Sequence, residues 1–344
     1  MIHKIKEKIK EEVKYLKENP KQLLWYIIPI VIAIVLVIPL PYYITIGGGT
    51  LSLKNKIEVE GSIKKEGSFN LAYVSEVKGN VLFYILGNII PSYEIEKQED
   101  VVASNESVKD YNFRERIYFK DSLNSAISVA YTKALKEIKE SKKELVITYI
   151  DENADTNLKV GDEILSVNGK KIESVDELLD NINKCSLDKE IKIVVLRNNK
   201  EEETISKLIE IDNEYKIGIS VYEDITYETN PKINYNFNQR ETGPSGGLTI
   251  ALDIYNNLVS EDITKGYKIV GTGTIDKNGV VGAIGGVKYK LQGAVKDKAD
   301  IFLVPIDNYN EALEEKKKHN YKINIIGVAT FDEALESLSR LVEN

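Results

Sequence analysis

Gly243-Pro244-Ser245-Gly246-Gly247-Leu248 opens a run in which apolar residues recur at Leu248, Ala251, Ile254 and Leu258, the spacing of one buried helix face. Ser245 therefore falls at or just before a helix N-terminus, where main-chain N–H groups are left free and could hold an oxyanion. Gly243, Gly246 and Gly247 relax the turn and let another backbone approach. Forty-three residues on, Lys288 stands in Gly285-Gly286-Val287-Lys288-Tyr289-Lys290, after an apolar stretch of Val280, Val281, Ala283 and Ile284. A serine hydroxyl needs a base, and histidine is scarce: His3 precedes an apolar run and His319 lies near the C-terminus. A lysine serves instead if burial lowers its pKa by several units from about 10.4. The competing explanation is a plain N-cap serine with an unrelated lysine.

Outward from this pair, the 344 residues suffice for two domains, and the net charge of −8 is unevenly spread. Residues 1–22 hold seven lysines and four glutamates, +3, which leaves −11 for the remainder. No clustered basic face suggests nucleic acid as a partner. From Leu23 to Ile44 no residue is charged, and Trp25, Tyr26, Tyr42 and Tyr43 flank the run. Its length meets the roughly 20 residues of a membrane span, and Pro29, Pro39 and Pro41 are tolerable there. A cleaved signal peptide would have a shorter apolar core of about 7–15 residues ending in a small-residue site, which is absent. The expectation is an uncleaved anchor over 23–44. Lysines before the span, against Lys54 and Lys56 after it, orient the N-terminus to the cytoplasm and place the catalytic part outside the cell membrane. The head itself, Ile5 to Leu16, reads as an amphipathic or a solvated helix.

Single Cys185 permits no intrachain disulfide and reads as a packing residue. No G-x-x-x-x-G-K-[ST], HExxH or CxxC occurs, so neither nucleotide, metal nor other cofactor is expected. Asn105-Glu106-Ser107 matches a glycosylation sequon of the kind chance supplies. Strands are expected over 56–60, 68–77, 81–86, 144–150 and 191–197. Helices are expected over 121–139, capped by Asp121 or Ser122, and over 175–183.

Between them, Leu158-Lys159-Val160-Gly161-Asp162-Glu163-Ile164-Leu165-Ser166-Val167-Asn168-Gly169 pairs a tight Gly-Asp turn with a strand that ends in an Asn-Gly hairpin turn. This stretch resembles a PDZ domain. In bacterial PDZ domains of permuted strand order a G-Φ-x loop takes the peptide carboxylate, and Gly218-Ile219-Ser220 looks like that loop. A peptide would add as a strand beside the helix at 175–183.

The C-terminal part resembles the Lon-type serine peptidase domain in a membrane-anchored, PDZ-bearing bacterial form without an ATPase. Gly243 to Leu248 parallels the family's G-P-S-A-G box, Gly271-Thr272-Gly273-Thr274-Ile275 its T-G strand, and Gly285 to Lys290 its G-G-Φ-K-x-K box. Phe302-Leu303-Val304-Pro305 and Asn308 continue the likeness over roughly 225–315. The resemblance implies an α+β, ribosomal S5 domain 2-like fold behind the transmembrane helix. It implies Ser245 as nucleophile, Lys288 as base, Thr272 as the hydroxyl that orients the lysine, Gly243 and Gly246 in support, and a structural Lys290. Asp121-Ser122 and the helix after it are similar to the family's E-S helix.

The resulting order is a basic head (1–22), an anchor (23–44), a first protease part (50–142), a PDZ domain (143–221) inserted there, and the catalytic part (222–344). A plain linear order of unrelated domains is the alternative. Gly246 stands where the family has alanine, and Thr242 beside Glu241 where Lon proper has an acidic residue, so whether a carboxylate tunes the site is open. The implied activity is ATP-independent endoproteolysis of exported peptides or proteins presented by the PDZ domain. Homo-oligomeric rings are common in the family, though nothing in the sequence demonstrates one. The rivals are a catalytically silent PDZ scaffold that binds C-termini and a membrane regulator that senses peptides.

Overall fold

The computed structural model describes residues 6, 7, 15, 18–103, 106–187, 189–211 and 213–343. Most of the basic head and Asn105 of the sequon lie outside them. The chain divides into two compact units, one of residues 1–46 and 75–101, the other of 47–74 and 102–344.

In the first unit the long apolar run does not form one helix. Helix α1 spans Pro20–Leu36, 17 residues, and from Pro39 the chain is extended as β1 (Pro39–Ser52). At 1.5 Å per residue α1 is about 25 Å long, short of a hydrocarbon core of about 30 Å. Among the described residues no helix is long and apolar enough to cross a membrane. This corrects the expected transmembrane anchor over 23–44. The expected cell-membrane localisation, with a cytoplasmic N-terminus and the catalytic part outside, loses its basis with it. The cause is local: Pro39 and Pro41 lack the N–H a continuing helix would use, and both are compatible with extended backbone.

Other elements of this unit are the end of β3 (Ser68–Asn80), α2 (Val81–Ile89), β4 (Tyr93–Lys97) and α3 (Gln98–Val101). Strand β4 pairs antiparallel with β1 from Tyr42↔Lys97 to Ile46↔Tyr93. The strand expected over 81–86 is helix α2, because the Asn80 side-chain Oδ1 accepts the Phe83 N–H at 2.9 Å and caps it.

The second unit carries β2 (Ile57–Val59), the start of β3, α4 (Val108–Lys133), β5 (Glu137–Ile150), β6 (Glu163–Val167), β7 (Lys170–Lys171), α5 (Val175–Ile182), β8 (Ile191–Arg197) and β9 (Lys200–Ser206). After them come β10 (Ile209–Ile211), β11 (Glu214–Lys216), β12 (Ile219–Asn230), β13 (Ile233–Tyr235), α6 (Gly247–Leu258), β14 (Lys268–Gly271), β15 (Thr274–Ile275) and β16 (Val281–Gly282). The chain ends with α7 (Val287–Lys296), β17 (Ile301–Pro305), α8 (Ile306–His319), β18 (Asn324–Val328) and α9 (Phe331–Ser339).

Strands β3, β14, β17 and β18 lie side by side, all parallel. Alternate residues divide between two cores: Ile269, Ile301, Leu303 and Val328 pack with α4, α6 and α9, whereas Val270, Phe302, Val304 and Ile325 pack with α7 and α8. The serine-bearing helix and the lysine-bearing helix therefore cover opposite faces of one sheet. Helix α4 begins at Ser107, whose Oγ accepts the Asp110 N–H at 3.1 Å, and not at Asp121 or Ser122, which lie mid-helix.

A second sheet runs β12-β5-β6-β8-β9. Strands β5 and β12 pair antiparallel from Ile150↔Ile219 to Glu137↔Asn230. Its own core holds Ile147, Ile164, Val167, Leu178, Ile182, Ile193 and Val195. The Asn168-Gly169 turn joins β6 to β7 with both residues at positive φ (49° and 79°), as a primed two-residue hairpin turn requires. Asp162 is buried, accepts two Arg197 N–H bonds (2.8 and 2.6 Å) and caps the turn by accepting the Lys159 N–H.

Candidate active site

Strand β14 ends at Gly271, where a side chain would meet Thr249 Oγ1 at 2.5 Å. Thr272 follows, fully buried, its N–H donating to the Leu303 carbonyl. Its Oγ1 donates to the Ser245 carbonyl at 3.1 Å, and the Gly273 N–H donates to the same oxygen at 2.7 Å. Leu248 returns a bond from its N–H to the Gly273 carbonyl at 3.0 Å. The serine loop is thus stitched to the end of the central parallel strand. The resemblance gives Thr272 the task of orienting the lysine; the structure joins its hydroxyl to the serine's carbonyl.

From the other side α4 holds the same loop. Ser122 Oγ donates to the Pro244 carbonyl at 2.8 Å, and the Gly243 N–H donates to the Glu115 carbonyl at 3.1 Å. Gly243 has φ +81°, a region that favours glycine. Both carbonyls flanking the Pro244–Ser245 bond are therefore taken. Among the described residues the N–H groups of Ser245 and Gly246 have no hydrogen-bond acceptor, and no side chain caps α6. Two adjacent free donors at a helix N-terminus, beside a half-buried hydroxyl, can stabilise a developing oxyanion. Glu241, the carboxylate nearest the loop in sequence, is engaged by Lys56 Nζ at 2.8 Å and Asn238 Nδ2 at 3.1 Å.

Gly247 has no room for a side chain: a Cβ would lie 2.3 Å from Ser122 Oγ and 3.1 Å from the Ile275 main-chain nitrogen. Gly247→Ala should therefore push the loop off α4 and cost roughly 1–3 kcal/mol in stability, as read from urea unfolding.

Helix α7 presents the two lysines differently. It starts after Gly286 (φ +66°), and the segment before it is clamped by Asn308, which exchanges two hydrogen bonds with Ile284 (2.8 and 3.0 Å). Val287, Leu291 and Ala294 face the sheet, buried with Val270 and Phe302. Lys290 shares that side and is 3% exposed, whereas Lys288, about 200° away around the helix, is half-buried with its Nζ 4.6 Å from the Tyr289 ring centroid. Burial drives the Lys290 pKa down to about 8, and among the described residues no carboxylate or hydrogen-bond partner counters it. The resemblance gives Lys288 the base's place and Lys290 a structural one, and the structure sets both in the first turns of α7. Ser122, expected as a possible cap and as part of the E-S likeness, holds the serine loop.

A separate groove lies between α5 and the start of β12, with a cavity of about 720 Å³ lined by Val175, Leu178, Ile182, Ile217, Gly218 and Ile219 among others. Gly218 has φ +72°, and a side chain there would meet Ala154 Cβ at 2.9 Å. Of the expected loop residues, Gly218 and Ile219 line the groove; exposed Ser220 instead offers its carbonyl to Thr148 Oγ1. Cys185 lines the groove as a free thiol that donates to the Asn181 carbonyl. His319 is exposed at the end of α8, 3.1 Å from Glu315 and stacked on Tyr321. Among the described residues no three His, Cys, Asp or Glu side chains gather as metal ligands do.

Comparison with known proteins gives two family matches. Residues 112–208 match the PDZ domain, and residues 238–340 match the Lon protease (S16) C-terminal proteolytic domain. Among curated relatives, the chain is 30% identical over 96 residues to a Lon protease of Aster yellows witches'-broom phytoplasma, covering 28% of this chain and 12% of that one. It is also 30% identical over 103 residues to a Lon protease of Endomicrobium trichonymphae, covering 30% and 13%. The matched region spans about an eighth of the length of these relatives. Among solved structures, the PDZ domain of an SdrC-like protein from Listeria monocytogenes aligns at 24% identity and TM-score 0.22, over 24% of this chain and 92% of that domain. Its counterpart from Listeria innocua aligns at 28% identity and TM-score 0.22, over 23% and 93%.

Proposed function

We propose that this chain is a serine peptidase in which Ser245 is the nucleophile and Lys288 the general base. The observation that carries the reading is the serine loop: a half-buried hydroxyl at the N-terminus of α6, with its own and the Pro244 carbonyl tied to Thr272, Gly273 and Ser122. The match of residues 238–340 to the Lon proteolytic domain supports it. In this reading the neutral amine of Lys288, in the first turn of α7, takes the proton of Ser245 Oγ as the oxygen attacks a peptide carbonyl. The N–H groups of Ser245 and Gly246 hold the oxyanion. The ammonium then protonates the departing amine, and the regenerated amine activates the water that releases the acyl group. Thr272 Oγ1 spends its proton on the Ser245 carbonyl, so its lone pairs stay available to orient the lysine.

The groove between α5 and β12 presents substrate, taking a peptide C-terminus with its carboxylate toward the turn at Gly218. The groove subdomain is read as an insertion, entered along β5 and left along β12, strands that pair over most of their length. None of these steps consumes a nucleotide.

The test is hydrolysis of a fluorogenic peptide library by the purified chain, with and without ATP, beside Ser245→Ala. Cleavage independent of ATP and lost in the variant, with a fluorophosphonate adduct on Ser245, is the expected result. A wild-type chain that binds C-terminal peptides, cleaves none and takes no adduct would instead be the silent scaffold.

A further inference from the structure

Strand β12 serves two neighbours at once. Its alternate residues Ile219 and Val221 line the groove, and Glu223 accepts the N–H of Val175 at the start of α5 (3.2 Å). Between and beyond them Tyr222 and Asp224 point the other way, to α4. The Tyr222 hydroxyl accepts from Asn124 Nδ2 at 3.3 Å and lies within electrostatic reach of Asp121, while Lys120 is ion-paired to Asp224. Burial first, and then the Asp121 charge, hold the Tyr222 hydroxyl protonated well above the ordinary phenol range. The residue after Asp121 is Ser122, which holds the Pro244 carbonyl beside the proposed nucleophile.

The polar contact between β12 and α4 is only partly satisfied, since Asp224 Oδ1 is buried with no partner among the described residues. An unpaired buried polar atom is costly, so a shift that supplied Asp224 Oδ1 with a partner would be favoured. The β5–β12 ladder also has a register irregularity between Ser220 and Val221, where the groove meets the strand. A peptide that adds to β12 there alters the strand at its least regular point. Helix α4 has no slack on the far side: Leu123, Ala126, Ile127 and Ala130 are fully packed, and Gly247 already abuts Ser122.

We propose that a peptide C-terminus seated in the groove acts as an effector of Ser245, read through Tyr222, Asp121 and Ser122. Tyr222, Asp121 and Ser122 are positioning residues, and the groove is a sensor as well as a holder of substrate. This rests on the peptide-binding reading of the groove given above.

The test uses the full chain and one probe, the tightest binder from a library of fluorescein-labelled decapeptides with apolar C-terminal residues and a free carboxylate. Its amidated twin is the control. Three quantities are read: peptide affinity by anisotropy, hydrogen exchange of the amides in 243–248 with and without peptide, and cleavage of a separate, C-terminally amidated fluorogenic reporter. The expected result is at least about a fivefold change in both exchange and reporter cleavage on saturation, the scale of ordinary site-to-site coupling. Tyr222→Phe should bind the probe within about twofold and lose both responses. If that variant does not fold, Asp121→Asn should do the same.

No change in exchange at saturation, a full response in Tyr222→Phe, or a library in which nothing binds would each overturn the proposal. Exchange needs no catalysis and can be read in Ser245→Ala. A response in exchange without any reporter cleavage would leave the coupling standing and remove the peptidase reading alone.

Discussion

Lys288→Met should lower kcat/KM for a fluorogenic peptide by about a hundredfold to ten-thousandfold, the usual contribution of a general base, while Lys290→Met leaves it within about tenfold.

Lys290 is the comparator that separates loss of fold from loss of chemistry. Unfolded, Lys290 holds its proton up to about pH 10.4 and folded only to about 8, so the folded state is penalised fully below pH 8 and not at all above about 10.4. Methionine, of similar length and uncharged, removes that penalty, so Lys290→Met should be more stable at pH 7, by up to about 3 kcal/mol. Collapse of activity in Lys288→Met beside an active, stabilised Lys290→Met is the expected pattern. The reverse pattern would move the base to Lys290.

What the sequence made legible was what local pattern determines. The apolar spacing from Leu248 to Leu258 gave α6, and Asn168-Gly169 gave the hairpin between β6 and β7, because both depend on residues within one turn or one helix. Three features failed for reasons that reach further. Hydropathy of residues 23–44 records how apolar they are and not how they divide, and Pro39 turned the end of the run into β1. Asn80 capped a helix where apolar residues alone read as a strand. Ser122 looked like a cap because its partner, Pro244, lies 122 residues away.

The second large effect is expected where no chemistry was assigned. Asp253 lies on α6, 6% exposed, with one oxygen receiving Asn257 Nδ2 at 3.2 Å. It borders a cavity of about 250 Å³ whose rim carries Lys54, Glu58, Lys64 and Lys65. Lys65 offers no counter-charge at close range, because its ammonium donates to the carbonyls of Val259, Ser260 and Glu261 at the end of the same helix. Burial accordingly raises the Asp253 pKa to about 7. The folded chain then holds this proton up to pH 7, while the unfolded chain releases it near 3.9. Asp253 is without effect below about pH 4, destabilises progressively as pH rises, and reaches its full cost of about 4 kcal/mol above pH 7. Asp253→Asn keeps the shape and cannot ionise. Its advantage over the parent chain should grow by about 3 kcal/mol between pH 5 and pH 8, as read from urea unfolding of both proteins at the two values. Using the growth with pH, rather than the difference at one pH, cancels whatever asparagine does to packing. A difference that stays constant across the range would mean that Asp253 is ionised throughout, and that one of the rim lysines reaches in to pair with it.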